Sequence, residues 1–505
     1  MKVYLAGYNV DTNVLNEMEE QLGSKRDDIT PEVLSASYAR ISRDPRPINE
    51  IRRSAREEVE RSRKSNSTII FKMGHHSVAE HAVFNLDILG VSRYGMEEIE
   101  KFRLCSYTEK SQRYIKLKNN YIIPDEVKRT PHESLFVSMV KEQNKAYVTL
   151  FDELKKYVFA KHADLASDKK NHDLLEGWAK EDARYITSLA TESQVGMTLN
   201  ARNLELMLRR FASHPLMEIK NLGKAIYDQI VEVAPSIVIF HKENDLDRDT
   251  YPQLRDLSQK IISNHSVIPD KDGKHDIQLV EWTKNADDII AASLMHTSSD
   301  LPYSQCLSLV ESLNRKEKED IYKTSWQNLQ LFDSLLREFE YINLTYNIVL
   351  SSSCFGQLKR HRMSTLTSQQ YSPDMEITVP ESIKDIGMDS FFREITDKTE
   401  EVYYAIRKDL PLAAPYILTN AHRKRVLIRI NARELYHISR LREDSHAQWD
   451  IRNISFKMSK LAKKEMPLVF GCIGGKDQFS TIYLEIFRKN PKITEVKLPG
   501  IRNIK

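Results

Sequence analysis

The chain has 505 residues, 41% hydrophobic and 29% charged, a balance typical of a folded globular protein of about two to four domains. Its 75 basic and 72 acidic side chains leave a net charge of +3, which predicts no nucleic-acid partner and no anionic membrane surface. The sequence has no run of 18 apolar residues, no secretory signal and no C-x-x-C pair among its four cysteines, so we expect a cytoplasmic protein with no membrane span and no metal site.

Four segments with alternating apolar and polar residues predict strands. Val3–Leu5 opens the chain, and Phe84–Ile88 follows later in the first half. Ile277–Leu279 and Ile342–Ile348 repeat this order in the second half. A period of two places one face of each strand in a core and leaves the other for solvent or a site.

A polar segment, Gly74–His81, precedes the second of these strands. It contains two adjacent histidines, a serine and a glutamate, which can contact a polar heterocycle or move protons. The alternative is a polar cap before the strand. A metal site is disfavoured because the segment lacks the H-E-x-x-H arrangement.

Two distant segments carry related motifs, Lys101–Tyr114 and Arg360–Tyr371. The second begins Arg-His-Arg, and two guanidinium groups so close together suit phosphate, because each donates paired hydrogen bonds. A solvated basic face is the alternative interpretation. The first motif ends Glu-x-Ser-x-Arg-Tyr, and a Lys-rich stretch around residues 135–180, predicted to be helical, follows it.

The two halves of the chain repeat each other. Asn200–Leu204 and Asn431–Leu435 share the pattern Asn-Ala-Arg-x-Leu, 231 positions apart. Each is followed by an amphipathic helix pattern and then a proline. The matching apolar positions are Ile219, Leu222, Ile226 and Ile230 in the first half, and Ile451, Ile454, Met458 and Ala462 in the second. We interpret this as a tandem duplication, with two unrelated α/β domains as the alternative.

The predicted domains are residues 1–240 and 276–505. Residues 241–275 join them as a polar linker with several turn-forming residues, and Leu254–Ile262 is its expected helix.

Together the two motifs resemble the signature of the flavin-dependent thymidylate synthases, Arg-His-Arg-x-x-Ser-x-Asn-x-x-Ser-x-Arg-Tyr. The front of that signature survives only in the second repeat and the back only in the first. The family also carries Gly-His-x-Ser/Thr-x-x-Glu-His before its motif strand, as residues 74–81 do here. The resemblance covers most of both halves.

The resemblance implies that FAD is bound by residues of both repeats. In the first repeat Phe102 stands where the family has the histidine of Arg-His-Arg, and it cannot hydrogen-bond. The expected FAD-binding residues are His75, Ser77, Glu80, Arg360, His361, Arg362, Asn431 and Arg433.

The resemblance also implies a dUMP site that combines the repeats. The expected dUMP-binding residues are Glu109, Ser111, Arg113, Arg184, Gln357 and Arg360. Arg442, eleven residues after Asn431, has the spacing of the family's catalytic arginine. The first repeat has Phe211 there, unless a one-residue deletion makes Arg209 or Arg210 the equivalent residue.

The fold implied is α+β, with two copies of a mainly antiparallel sheet and a helical layer. The reaction implied is reductive methylation of dUMP to dTMP, with methylenetetrahydrofolate as carbon donor and FAD reduced by NADPH or another donor. Since the family forms homotetramers, a homodimer of this chain would give a pseudo-tetramer. The alternatives are a related flavoenzyme acting on another pyrimidine nucleotide and a non-catalytic structural descendant.

Overall fold

The computed structural model describes residues 1–11, 14, 31, 76–113, 117, 119–265, 267 and 277–492. They fall into two compact units, Met1–Pro269 with Val379–Asn420, and Asp270–Thr378 with Ala421–Lys505. None of the helices in these described ranges is both long and apolar enough to span a bilayer.

The first unit contains a four-stranded antiparallel sheet in the order β1-β2-β4-β3. Its strands are β1 (Lys2–Tyr8), β2 (Val83–Ser92), β3 (Ser106–Glu109) and β4 (Glu192–Asn200). From residue 76 onward, the described helices of its continuous part are α1 (Arg93–Ile99), α2 (Glu133–Lys161), α3 (Ala163–Ala166), α4 (His172–Ala183), α5 (Ala201–Ala212), α6 (Met217–Ile230) and α7 (Asp245–Asn264).

The second unit contains a sheet with the same order, β5-β6-β8-β7. Its strands are β5 (Ile277–Trp282), β6 (Asn343–Ser351), β7 (Thr365–Ser368) and β8 (Arg423–Asn431). Its helices are α8 (Ala286–Thr297), α9 (Tyr303–Ser312), α10 (Arg315–Trp326), α11 (Ser352–Leu358), α14 (Ala432–Arg442), α15 (Trp449–Glu465) and α16 (Phe479–Phe487). Helices α12 (Glu381–Asp385) and α13 (Asp389–Arg407) come between α11 and α14 in the chain but lie in the first unit.

The predicted α+β fold with two mainly antiparallel sheets is confirmed. The alternating segments form strands, and in β2 the apolar residues Phe84, Leu86 and Ile88 are buried. The repeated amphipathic pattern forms α6 and α15, whose eight matching apolar positions are all buried. The stretch around 135–180 is helical, as expected.

Equivalent polar contacts hold α6 in the first unit and α15 in the second against the end of β2 or β6. Ser92 caps α1 and donates its hydroxyl to buried Glu218 of α6 at 2.7 Å. Ser351 caps α11 and donates its hydroxyl to buried Asp450 of α15 at 2.6 Å. Burial raises the pKa of Glu218. The same serine–carboxylate hydrogen bond occurs in both units, as expected for a duplicated sequence.

Residues 379–420 belong to the second repeat by sequence but pack within the first unit. There the Tyr416 hydroxyl donates to Glu218 at 2.7 Å, and Ser188 pairs with Thr419 in an antiparallel bridge. Ser188 and Thr419 are themselves 231 positions apart, so equivalent residues of the two repeats meet. The predicted domain boundaries refer to the two sequence repeats, not to the two compact units, and they stay a prediction.

The linker helix is longer than the predicted Leu254–Ile262. Helix α7 begins after Asn244, whose side chain accepts from the Asp247 backbone N–H at 2.9 Å. Asparagine is a preferred N-cap, and two aspartates in the first turn favour the positive end of the helix dipole. With these local signals the helix begins nine residues upstream of the predicted start, despite Pro252 inside it.

Candidate functional site

In the first unit, the predicted nucleotide residues lie where β3 ends. Glu109 is the last residue of β3, and its carboxylate accepts from the Ser193 hydroxyl of β4 at 3.1 Å. The turn that follows is stabilised by the Arg113 backbone N–H, which donates to the Ser111 hydroxyl at 3.1 Å. The Arg113 side chain pairs with Glu181 of α4. The sheet edge and α4 therefore hold these side chains in one cluster.

Arg184 begins the 3-10 turn that follows α4 and belongs to the same cluster. Its Nε–H donates to the Glu181 carbonyl at 3.2 Å, and the residue is only 7% exposed. Burial, together with the nearby Arg113 and Arg93, lowers the pKa of Arg184. Its Nη2 is buried without a hydrogen-bond partner among the described residues. Buried polar groups are almost always paired, so this donor is suited to an anionic ligand.

In the second unit, the Arg-His-Arg segment forms the turn after α11. Arg360 and Arg362 have exposed side chains, whereas His361 between them is buried. The Ser364 hydroxyl donates to the His361 carbonyl at 2.6 Å and stabilises this turn. The two guanidinium groups thus lie at the surface, and the imidazole is directed into the unit.

Arg442, at the end of α14, contacts this buried histidine. Its Nε–H donates to His361 Nε2 at 2.9 Å, and its Nη2 donates to the Gln357 carbonyl at 3.4 Å. Gln357 is buried and donates its amide to Gln448 at 3.3 Å, while its side-chain oxygen has no partner among the described residues. The predicted catalytic arginine, glutamine and histidine therefore form one hydrogen-bonded group.

Asn431 and Arg433 of the predicted FAD set have structural partners. The Asn431 side chain caps α14 by accepting from the Glu434 backbone N–H at 2.8 Å. Arg433 donates to the Leu335 carbonyl at 2.7 Å and to Glu340 at 2.8 Å. The cap explains part of why Asn-Ala-Arg occurs in both repeats, since Asn200 caps α5 in the same way.

The remaining predicted FAD residues come from the first repeat. Ser77 is exposed, and Glu80 forms an ion pair with Arg202 at the surface. This pair is equivalent to Glu340 with Arg433 in the second unit. His75 lies outside the described residues.

The first repeat has an aromatic pair where the second has His361 and Arg442. Helices α5 and α14 both begin directly after a capping asparagine, so they align without a gap. In this alignment Phe211 occupies the position of Arg442. The matching registers of β3 and β7 likewise align Phe102 with His361. Phe102 and Phe211 pack edge to face with ring centroids 5.7 Å apart.

This register also identifies the late arginines of the first repeat. Arg209 and Arg210 align with Arg440 and Leu441, so neither is equivalent to Arg442. Arg209 instead pairs with Asp247 of the linker helix at 2.7 Å.

The second repeat has lost the carboxylate end of the first motif. Strand register aligns Ser368, the last residue of β7, with Glu109. Buried Lys424 aligns with the serine that contacts Glu109, and its ammonium lies 3.4 Å from the Phe355 ring centroid and 4.3 Å from that of Tyr371. A cation between two rings replaces a serine–carboxylate contact.

Sequence reasoning missed four residues that support the predicted groups. They are Glu181 and Ser193 in the first unit, and Glu434 and Gln448 in the second. Gln448 lies in the segment Gln448–Arg452, whose similarity to the family's Gln-Trp-Glu-Ile-Arg is visible in the sequence but does not by itself give Gln448 a role. The other three carry no signal beyond their polarity.

Comparison with known proteins gives matches to both halves. A profile of the family described as "Thymidylate synthase complementing protein" matches residues 27–236 and again residues 278–468. A flavin-dependent thymidylate synthase of Clostridium tetani is 32% identical over 213 residues, which cover 41% of this chain and 80% of the relative.

Longer relatives match across both halves. A UPF0159 protein of Chlamydia muridarum is 22% identical over 407 residues, covering 78% of this chain and 77% of the relative. A UPF0159 protein of Thermoplasma acidophilum is 22% identical over 483 residues, covering 87% of this chain and 94% of the relative. Among solved structures, the flavin-dependent thymidylate synthase ThyX of Helicobacter pylori, complexed with FAD and dUMP, is 16% identical with a TM-score of 0.29, covering 48% of this chain and 100% of that one.

Proposed function

Because the chain belongs to the thymidylate synthase complementing protein family, we propose that it makes dTMP from dUMP by flavin-dependent reductive methylation. The resemblance and enzyme class predicted from sequence are confirmed by this membership. The proposal extends to methylenetetrahydrofolate as carbon donor, NADPH or another reductant, and sites that combine residues of both repeats.

One observation supports the substrate most directly. Several buried polar atoms lack partners among the described residues, and they include one atom from each of two predicted dUMP contacts, the Arg184 Nη2 donor and the Gln357 Oε1 acceptor. An unpaired buried polar atom costs about 1–3 kcal/mol, so a ligand that satisfies it gains that energy on binding. A pyrimidine nucleotide offers phosphate oxygens to the first and a ring N–H to the second.

We propose that Arg113 and Arg184 bind the dianionic phosphate. Both contact Glu181, Arg113 through the carboxylate and Arg184 through the backbone carbonyl, and the carboxylate charge partly offsets the repulsion between the two cations. Glu109 and Ser111 complete this part of the site with acceptor and hydroxyl groups. The Ser111 hydroxyl already accepts from the Arg113 backbone N–H, and we assign it a binding role.

We propose that Arg442 lies beside the pyrimidine ring. A fixed positive charge there lowers the pKa of the ring N3–H and stabilises negative charge that develops during transfer of the one-carbon unit. The contacts to His361 and Gln357 orient the guanidinium before substrate binds. Such preorganisation avoids reorganisation during the reaction.

The residues present fit FAD. The exposed guanidinium groups of Arg360 and Arg362 can hold its phosphates, and exposed Ser77 and half-buried Glu80 offer hydrogen-bonding groups. Arg433 contributes a positive charge in the first turn of α14. When bound and reduced, the flavin supplies the hydride that converts the transferred methylene to a methyl group.

Reconstitution tests the function as a whole. Purified protein supplied with dUMP, methylenetetrahydrofolate, FAD and NADPH should release dTMP, and omission of the folate should abolish it. A flavin spectrum perturbed by dUMP without dTMP formation would favour the alternative flavoenzyme. Protein that binds neither flavin nor dUMP would contradict the proposal.

Flavin retention should differ between the repeats. Arg360→Ala and Arg362→Ala remove phosphate-binding charges and should lose most bound flavin, whereas Arg103→Ala, which aligns with Arg362, should lose much less. The flavin absorbance of each variant, compared per chain after desalting, measures this. Equal loss from Arg103→Ala and Arg362→Ala would show that the repeats bind flavin alike.

The nucleotide stoichiometry should be about one dUMP per chain. The first repeat lacks the late arginine and the second lacks Glu109, Arg113 and Arg184 equivalents, so only one combination of the two halves is complete. Calorimetric titration of the flavin-loaded protein measures the ratio. Two equivalent sites per chain would contradict the argument from complementary loss.

A further inference from the structure

His361 lies between two exposed arginines, yet its own side chain is turned into the second unit and is 4% exposed. Its Nε2 accepts from Arg442, so the ring proton is on Nδ1. Burial, the Arg442 charge and His437 lower the pKa of His361 well below its ordinary value. At neutral pH the ring is therefore a neutral acceptor.

The surroundings of the imidazole favour this tautomer. The Nδ1 atom has no hydrogen-bond partner among the described residues, and the Glu434 carboxylate of α14, 3.7 Å away, attracts an N–H there by its charge alone. His437, also on α14, stands edge to face with His361, with ring centroids 5.7 Å apart. A protonated imidazole would have no lone pair left for the Arg442 N–H and would repel its charge.

The first repeat shows what happens when the arginine is absent. There both members of the pair have become phenylalanine, Phe102 for the histidine and Phe211 for the arginine, and the two rings pack together. Single replacement would leave either a buried arginine donor or a buried imidazole acceptor without its partner, which is costly. The joint replacement indicates that the histidine is kept for the arginine.

We propose that His361 is a positioning residue for Arg442. Its Nε2 and the Gln357 carbonyl hold two nitrogen atoms of the guanidinium from the protein side, which fixes the plane that the group presents to the pyrimidine. The proposal rests on the function proposed above, because the role of Arg442 is part of it. It gives the middle residue of Arg-His-Arg a task separate from the surface cations beside it.

Three variants of His361 test this role. His361→Phe reproduces the first repeat and removes the acceptor; His361→Asn is polar but too short to place an acceptor at Nε2; and His361→Gln can reach that position. We expect turnover to fall about tenfold in the Phe and Asn variants, with the KM for dUMP changed much less, and to recover in the Gln variant. Flavin content and the thermal unfolding midpoint are measured on each variant to separate a general structural effect.

Coupling to Arg442 provides the decisive comparison. If His361 acts through Arg442, His361→Phe should lower turnover no further in the Arg442→Ala background. Losses that multiply in the double variant would overturn the proposal, as would a Gln variant no better than Asn. Arg429→Ala, which removes an exposed arginine of the same unit, is the matched background in which the full tenfold loss should persist.

A readout without activity separates this proposal from the proposed function. If wild-type protein makes no dTMP, the function fails, and a crystal structure of the His361→Phe or His361→Asn variant still decides the positioning role. We expect Arg442 to leave the Gln357 carbonyl in that structure. An Arg442 side chain that keeps its wild-type position would overturn the proposal.

Discussion

Replacing Arg442 by alanine is expected to lower dTMP formation about 10²–10³-fold, while the Kd for dUMP changes by less than about tenfold. In the proposed site the phosphate is bound by Arg113 and Arg184, so most ground-state affinity should survive the change. The charge proposed to stabilise the pyrimidine during reaction is lost, together with the contacts that Arg442 makes to His361 and Gln357. Single-turnover kinetics together with dUMP calorimetry measure the two quantities separately.

Two controls sharpen this test. Arg442→Lys keeps a positive charge but loses the planar fork, so its turnover should lie between those of wild type and Arg442→Ala. Arg429→Ala removes an exposed arginine of the same unit whose partner is Glu281 and should leave turnover unchanged. If Arg442→Ala raised the KM for dUMP and spared turnover, Arg442 would be a binding residue and the proposed mechanism would be wrong.

Local signals in the sequence predicted most of the fold. Period-two alternation located β2 and β6, because one face of each strand must be buried. The pattern Asn-Ala-Arg marked the starts of α5 and α14, because asparagine is a favourable N-cap. These properties depend on neighbouring residues, so they can be recognised without knowing the tertiary structure.

Long-range packing could not be predicted in the same way. Nothing local in residues 379–420 shows that they pack in the first unit, where Tyr416 reaches Glu218. Phe102 and Phe211 were each visible as a departure from the family pattern. Their contact, and its relation to the pair formed by His361 and Arg442, required the structure.

For the candidate site, too, the sequence predicted part of the result and the structure added the rest. The resemblance identified Arg184 and Gln357 as nucleotide contacts, and the structure adds that each has a buried atom without a partner among the described residues. Their membership in one site stays a prediction. His361 was predicted to bind FAD as part of Arg-His-Arg, since sequence alone does not reveal which residues of a turn face inward.

Replacing Arg184 by alanine is expected to weaken dUMP binding by roughly 1.5–3 kcal/mol, or about 10–150-fold in Kd, with a smaller effect on turnover at saturating dUMP. In the proposed site the change deletes a charge-assisted contact to the phosphate, a group remote from the reacting carbon. Deoxyuridine lacks that phosphate, so its weaker binding should be nearly the same in wild type and Arg184→Ala. Arg209→Ala is the matched control, because Arg209 is a partly buried arginine of the same unit that pairs with Asp247.

The same variant tests whether the two repeats share one nucleotide. If Arg184 and Arg442 contact the same dUMP, Arg184→Ala should raise the dUMP concentration needed for half-maximal turnover at every remaining active site. If each repeat held its own nucleotide, Arg184→Ala would affect one class of sites, and titration would resolve a tight and a weak class. A crystal structure with dUMP would then show nucleotide contacting residues of a single repeat, which would exclude the composite site.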